Sequence, residues 1–147
     1  MSGEETVLGM WQALSDREWE KVKTFLTDDC LYADMYLPAA AAKGPDNVVK
    51  RLRLAFDLLE SYENHPGLLL FKGEDAMFEH SETWHWPTGE SAFLRFVTVH
   101  RVVDGKIALW KDYSDFGTLR DQAPPSFFEA LAETGDLSWV YDATAEL

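Results

Sequence analysis

The first part of the chain places apolar residues at helical spacing and predicts three helices in succession. The first begins near Glu4 and stops at Ser15-Asp16, and its apolar positions are Val7, Leu8, Trp11 and Leu14. The second is short, and one side of it carries Trp19, Val22, Phe25 and Leu26. The third opens at Gly44-Pro45-Asp46, and its buried stripe consists of Val49, Leu52, Phe56 and Leu59.

The pattern then shortens to the two-residue period of strands. A short early strand is predicted from Cys30 to Leu37, ended by Pro38. After the breaker-rich stretch Asn64-His65-Pro66-Gly67, strands are predicted at about 67–73, 75–86, 91–103 and 106–114. Asp104-Gly105 is the strongest hairpin signal, and Pro87-Thr88-Gly89-Glu90 turns the longer hairpin before it.

This order of elements predicts an α+β fold in which three N-terminal helices precede a curved antiparallel sheet. The concave face of the sheet is expected to wrap the longest helix and to leave a cavity between them. Residues 1–147 are predicted to form a single domain, in which 119–147 supply a C-terminal helix and a tail. The tail aromatics Trp139 and Tyr141 are expected to pack on the core, with closure of a pocket or contact with a second subunit as the alternatives.

The composition is that of an acidic globular protein. The net charge is −13, and 46% of the residues are hydrophobic, more than in a disordered acidic chain. Nucleic acids and anionic membranes require clustered Lys and Arg. The densest basic run, Lys50-Arg51-Leu52-Arg53, is predicted to be a solvated helical face. Neither partner is therefore expected.

Other features favour a cytoplasmic protein. The lone Cys30 excludes an internal disulfide, and it has no adjacent His to activate it, so we interpret it as a small core residue. The first residues, Met-Ser-Gly-Glu-Glu, lack the pattern of a signal peptide, and no apolar run approaches the length of a membrane span. The positions of His65, His85 and His100 give no metal-ligand spacing.

One strand places titratable side chains among aromatic rings. With a two-residue period, one face of the stretch from Phe78 to Trp86 consists of Phe78, His80, Glu82, Trp84 and Trp86. The other face is more polar, so the aromatic face is expected to be buried. Perturbed titratable groups in clefts are frequent at catalytic sites. The strand is therefore predicted to form a wall of an active site, with His80 and Glu82 as catalytic residues and the three aromatic residues, Phe78, Trp84 and Trp86, contacting the substrate.

Two further strands place carboxylates beside aromatic residues. On the last strand Asp112 shares a face with Trp110, and on the early strand Asp34 shares a face with Tyr32. If these faces turn toward the same cavity, three carboxylates converge there. At least one of them is then expected to stay protonated near neutral pH, because like charges repel and burial disfavours ionisation.

The last strand also carries a recognisable motif. Trp110-Lys-Asp-Tyr-Ser-Asp115, after Asp104-Gly-Lys-Ile107, resembles the end strand of the limonene-1,2-epoxide hydrolase family, within the SnoaL-like, ketosteroid-isomerase-like group, which is also called nuclear-transport-factor-2-like. The resemblance covers residues from about 4 to 118 and implies a cone-shaped sheet and a homodimer. It implies that Asp112 activates a water molecule and that Trp110 lines the pocket. Tyr32-Ala33-Asp34 stands where that family has Tyr-x-Asn, which helps to hold the water.

The middle strand departs from that family. The family has Glu-Arg-x-Asp, in which the Arg bridges two carboxylates and the Asp protonates the epoxide oxygen, whereas this chain has Glu79-His80-Ser81-Glu82. His80 thus replaces a permanently charged residue with one that titrates near neutral pH. The cavity is accordingly expected to contain no permanent positive charge. Glu82 is preferred at the acid position, and a different hairpin length places Ser81 there instead.

Three functions remain open from the sequence. The first is water addition to an epoxide of a small lipophilic molecule, with Asp112 as base, Glu82 as acid, Tyr32 and Asp34 holding water, and His80 connecting the carboxylates. The second is a dehydratase, isomerase or cyclase that uses Asp34 and His80 to move protons. The third is a non-catalytic binding protein of the same fold. None of the three requires a metal or an organic cofactor.

Overall fold

Six strands form one curled, open sheet on which five α-helices pack. The computed structural model describes residues 1–147. The helices are α1 (Gly3–Ser15), α2 (Trp19–Thr24), α3 (Pro45–Phe56), α4 (Phe116–Gln122) and α5 (Pro125–Ala132). The strands are β1 (Leu26–Asp34), β2 (Ala42–Lys43), β3 (Ser61–Lys72), β4 (Asp75–His85), β5 (Ser91–Val103) and β6 (Lys106–Ser114). No helix is long and apolar enough to cross a membrane.

The strand order across the sheet is β2-β1-β6-β5-β4-β3. Strands β3 to β6 form successive antiparallel hairpins, whereas β1 runs parallel to β6. The parallel pairing sets Tyr32 opposite Trp110 and Asp34 opposite Asp112. The two acidic side chains therefore lie on neighbouring strands at the same level of the sheet.

Three irregularities in strand pairing change the register within the sheet. The first lies between Leu26 and Leu31 on β1, and beyond it Asp34 pairs with Asp112. The second is an extra residue, Ala108, on β6, and beyond it Thr98 of β5 pairs with Asp112. The third lies between Pro66 and Leu69 on β3, and beyond it Asn64 pairs with Glu82. Bulges of this kind redirect side chains and are frequent beside functional sites.

The core lies between the helices and the inward face of the sheet. It contains a cluster of 28 buried residues, and α1 contributes Val7, Met10 and Leu14 to it. Ser2 caps the N-terminus of helix α1: its side chain accepts from the Glu5 N–H, while the Glu5 carboxylate accepts from the Ser2 N–H. This capping box fixes the start of the helix that packs against β3, β5 and β6.

The predicted α+β class is confirmed, and the strands β4, β5 and β6 lie within one residue of the predicted ranges. The predicted break before the strand at 67–73 was wrong, because Asn64-His65-Pro66 already belongs to β3, which starts at Ser61. Strand β3 is the edge of the sheet, where a proline can be accommodated because one side of the strand needs no hydrogen-bonding partner. The early strand runs from Leu26 to Asp34, so both ends lie earlier in the chain than the predicted Cys30 and Leu37.

Candidate functional site

A cavity of about 690 Å³ lies between the sheet and helices α3 to α5. Its size is that of a pocket for a small organic molecule. Of the 30 residues that line it, 21 are hydrophobic. The ionisable side chains at its wall are Asp34, Tyr32, Tyr36, Arg51, Glu82, Arg95, Asp112 and Asp115. The cavity is thus largely apolar, with acidic groups concentrated on the sheet.

Asp112 is buried on β6 and held by donors from two strands. Its Oδ1 accepts from the Thr98 hydroxyl at 2.7 Å and from the Trp110 indole N–H at 2.9 Å. Burial raises the pKa of Asp112 to about 7, and the nearby Asp34 charge raises it further, while the hydrogen bonds oppose the shift. Asp112 therefore titrates where a general base for neutral pH is useful.

Glu82 is buried on β4 and has a different set of partners. Its Oε2 accepts from the Tyr62 hydroxyl at 2.6 Å, and its Oε1 accepts from the Trp84 indole N–H at 3.0 Å. Burial raises the pKa of Glu82 to about 8, and the charge of Asp112 contributes to the increase. At neutral pH Glu82 is mostly protonated, so it has a proton to give.

Asp34 is the third carboxylate, and it forms an ion pair with Arg51. The Arg51 guanidinium lies 2.6 Å from Asp34 Oδ2, and both side chains are less than a quarter exposed. Burial raises the pKa of Asp34, and the Arg51 charge opposes that increase. The guanidinium also lies over the ring of Trp139, 5.5 Å from its centroid.

Two expectations about charge are therefore wrong. Arg51 does not lie on a solvated helical face, because α3 turns it inward beside Asp34. The cavity accordingly contains a permanent positive charge. This charge comes from a helix that follows β2, whereas the family that the sequence resembles carries its Arg on the middle strand.

His80 lies behind the cavity wall and is not among the lining residues. Its ring stacks between those of Phe78 and Phe96, with centroid distances of 4.6 and 5.3 Å. Burial lowers the pKa of His80 to about 3, so the ring is neutral at working pH. Its Nδ1 lies 3.9 Å from Glu82 Oε2, and its Nε2 reaches Asp112 only through the Thr98 hydroxyl.

The remaining predicted site residues separate into two groups. Tyr32, Trp84 and Trp110 line the cavity together with the three carboxylates. Phe78 and Trp86 are buried but do not line it. Ser81, the alternative for the acid position, is also absent from the lining, because it lies on the opposite face of β4 from Glu82.

Three functional candidates were missed by the sequence reasoning: Arg51, Thr98 and Asn64. Thr98 is completely buried and contacts both His80 and Asp112. Its position on the inward face, two residues from Phe96, follows from strand alternation. Its pairing with Asp112 does not, because that pairing depends on the register shift between β5 and β6.

The C-terminal segment closes the cavity opposite the sheet. Phe127 and Phe128 of α5 line it, and so does Trp139, which is buried. Tyr141 pairs with Ala41 through two backbone hydrogen bonds and fixes the tail to the body of the fold. The tail aromatics thus pack on the core, and Trp139 closes the pocket at the same time. No group of three or more His, Cys, Asp and Glu side chains is arranged to hold a metal ion.

The two buried carboxyl groups should make stability depend on pH. Their folded pKa values lie above the ordinary ones, so the folded state binds more protons than the unfolded state between about pH 4 and 8. The free energy of unfolding should therefore fall as pH rises through this range. We expect Glu82→Gln to remove part of this dependence, so its free energy of unfolding relative to the native chain should be larger by about 3 to 4 kcal/mol at pH 8 than at pH 5.

Urea denaturation at the two pH values measures this difference. Glu79→Gln is the matched control, since Glu79 is exposed on the outer face of the same strand. An equal effect of Glu82→Gln at both pH values would contradict the raised pKa of Glu82.

Comparison with known proteins identifies the family. The SnoaL-like domain family matches residues 7–110. The chain belongs to the SnoaL-like domain family. The chain has the cone-like α+β fold of this family, and among the similar solved structures are candidate polyketide cyclases and an LEH-like epoxide hydrolase.

Three solved structures illustrate the similarity. The LEH-like epoxide hydrolase of M. tuberculosis is 20% identical with a TM-score of 0.69, and the match covers 88% of this chain and 89% of that one. TerC, crystallised with polyporic acid, is 18% identical with a TM-score of 0.73, over 82% and 96% of the two chains. A SnoaL-like protein of Shewanella putrefaciens, a candidate polyketide cyclase, is 14% identical with a TM-score of 0.72, over 83% and 86% of the two chains. At these identities the similarity establishes the fold alone.

Proposed function

We propose that this SnoaL-like protein is an acid/base enzyme that adds water to an epoxide of a small lipophilic molecule. The observation that carries the proposal is the pair of buried carboxyl groups, Asp112 and Glu82, at one apolar cavity. Their pKa values of about 7 and about 8 leave one able to accept a proton while the other still holds one. An acid beside a base at the same pH is what epoxide hydration requires.

In the proposed reaction Asp112 takes a proton from water while the water oxygen attacks an epoxide carbon. The carbon–oxygen bond of the ring breaks, and Glu82 gives its proton to the departing ring oxygen. The product is a diol, and transfer of the proton from Asp112 to Glu82 restores the starting state. Tyr32 and Asp34, which line the cavity beside Asp112, are assigned to hold the water. The end-strand motif and the fold of the M. tuberculosis epoxide hydrolase support this reading.

A second candidate is an isomerase, dehydratase or cyclase, and Arg51 is the observation that favours it. A fixed guanidinium charge at the cavity wall would stabilise the enolate or other oxyanion that such reactions form. Asp34 would then be the proton-transferring group. The fold of the Shewanella candidate polyketide cyclase is consistent with such a reaction.

Isotope labelling separates the two candidates. With a panel of epoxides, enones and hydroxy-ketones in labelled water, we expect one ¹⁸O atom in a diol product and no solvent deuterium at carbon. Deuterium at carbon without ¹⁸O indicates the second candidate. Absence of turnover combined with saturable binding indicates a non-catalytic binding protein.

Asp34→Asn provides an independent test of the same choice. If the reaction is water addition, we expect the rate of Asp34→Asn to be less than about tenfold below the native rate, since an amide can also hold a water molecule. Under the second candidate the loss should exceed about 100-fold, which is typical when a proton-transferring group is removed. Initial rates of the variant and the native chain on the converted substrate measure this ratio.

A further inference from the structure

Behind the cavity wall, four side chains form a continuous chain of hydrogen bonds that ends on Asp112. Asn64 Nδ2 lies 2.9 Å from His80 Nδ1, and His80 Nε2 lies 2.8 Å from Thr98 Oγ1. The Thr98 hydroxyl then donates to Asp112 Oδ1 at 2.7 Å. Each residue comes from a different strand, in the order β3, β4, β5 and β6, which are adjacent in the sheet.

The chain has a defined direction whenever Asp112 is ionised. A carboxylate can only accept, so the single hydrogen of the Thr98 hydroxyl points to Asp112. The Thr98 oxygen then accepts from His80, which must carry its proton on Nε2. A neutral imidazole has one N–H, so Nδ1 accepts, and the Asn64 amide nitrogen is the donor that satisfies it. Each of these four groups thus fixes the role of the next.

The surroundings of His80 hold it in this neutral state and orientation. The stacked rings of Phe78 and Phe96 hold the imidazole plane, and Trp11 packs at 4.5 Å from it. Its Nδ1 lies 3.9 Å from Glu82, beyond hydrogen-bond distance of that carboxyl group. The low pKa of His80 agrees with a ring that carries no charge.

The chain distinguishes the two oxygens of Asp112. Oδ1 receives two donors, the Thr98 hydroxyl and the Trp110 indole N–H. A carboxylate oxygen that already accepts two hydrogen bonds is the poorer site for a proton, so protonation falls on Oδ2. We propose that Asn64, His80 and Thr98 are positioning residues that hold Asp112 in one orientation and make Oδ2 its proton-accepting oxygen. This inference rests on the proposed role of Asp112 as general base.

Other ionisable groups face Asp112 and must stay in place in any test. They are Asp34, Tyr32 and Tyr36 near β1, Arg51 on α3, Tyr62 on β3 and Glu82 on β4, and His80 of β4 is connected to Asp112 through Thr98. Thr98 carries no charge, so its replacement removes one donor without altering this set. It is therefore the residue of choice for substitution.

The tautomer of His80 is the first readout, and it needs no substitution and no substrate. In ¹⁵N-histidine-labelled protein at pH 9, where Asp112 is ionised, we expect His80 to be entirely in the Nε2–H form. Comparison with His80→Gln assigns the signal among the 4 histidines. In Asn64→Leu the ¹⁵N chemical shift of His80 Nδ1 should change to that of an imidazole nitrogen that accepts no hydrogen bond. A native His80 in the Nδ1–H form would overturn the proposal.

The titration of Asp112 is the second readout. In protein with ¹³C-labelled Asp carboxyl groups, Thr98→Val should raise the midpoint of Asp112 by about one pH unit, because the carboxylate loses a donor. Thr98→Ser keeps the hydroxyl and should leave the midpoint unchanged. An unchanged midpoint in a folded Thr98→Val would overturn the proposal. Both readouts are obtained without turnover, so they remain valid if epoxide hydration is not the reaction.

Discussion

Replacing Asp112 with Asn should lower kcat/KM for epoxide hydration by about 1000-fold, within the range typical of losing a general base. The amide oxygen can still accept from Thr98 and Trp110, so the side chain should keep its place on β6. It cannot take a proton from water, because an amide has no basic oxygen at neutral pH. Initial rates of diol formation across several substrate concentrations measure the effect.

The matched control is Asp75→Asn, at a half-exposed aspartate that pairs with Arg101 on the surface. Surface ion pairs of this kind contribute little, so the control should keep the native rate. Asp112→Asn should remain folded, since it removes a buried ionisable group and leaves the hydrogen bonds. Hydration at the native rate by a folded Asp112→Asn would exclude Asp112 as the base.

The second large effect concerns Glu82 and the pH dependence of the rate. The proposed water addition uses ionised Asp112 and protonated Glu82, so under that proposal kcat/KM should rise through about pH 7 and fall above about pH 8. Because the two groups interact, these limits belong to the pair and not to either residue alone. Glu82→Gln should lower the rate by about 100-fold and abolish the alkaline fall, since no acid remains to lose its proton.

A pH–rate profile from pH 5 to 9.5 on the native chain and on Glu82→Gln tests both statements. Glu79→Gln, on the exposed face of β4, should reproduce the native bell shape. If the rate of Glu82→Gln still falls at alkaline pH, a group other than Glu82 causes that fall. The Tyr62 hydroxyl, which donates to Glu82, is then the first candidate.

The sequence pattern was sufficient to predict which side chains are buried wherever buried and exposed residues alternate along a strand. The residues from Phe78 to Trp86 alternate in burial as predicted, so His80 and Glu82 face inward. The last two strands were located from Asp104-Gly105, which forms the expected tight turn, with both residues at positive φ. Hydrophobic burial on one face determines these features locally.

The pairing partners of Thr98 and Asn64 were not predictable, because each pairing depends on a register shift. Counting from the tight turn pairs Thr98 with Lys111, and the shift between Arg101 and Val102 moves its partner to Asp112. A similar shift on β3 pairs Asn64 with Glu82. A bulge of one residue leaves the composition and the period of the strand almost unchanged, so the sequence alone does not reveal it.

Arg51 was missed for a different reason. Its neighbours Lys50 and Arg53 are exposed, and the charge pattern alone predicts that all three basic side chains face solvent. Arg51 follows Val48 by three positions and precedes Leu52, so it lies at the border of the buried stripe. The ion pair with Asp34 of β1, 17 residues earlier in the chain, holds the Arg51 side chain at the cavity wall.

The cavity is lined by two separate parts of the chain, so substitutions in one part can alter which ligand fits without altering the other part. The three carboxyl groups lie on the sheet, and α3 adds Arg51 beside Asp34, whereas α4, α5 and the tail supply much of the opposite wall. Substitutions at Phe127 or Leu131 alter the shape available to a ligand without touching Asn64, Thr98 or Asp112. Proteins with this fold can therefore change their ligand selectivity through substitutions in the C-terminal segment while the carboxyl groups on the sheet stay the same.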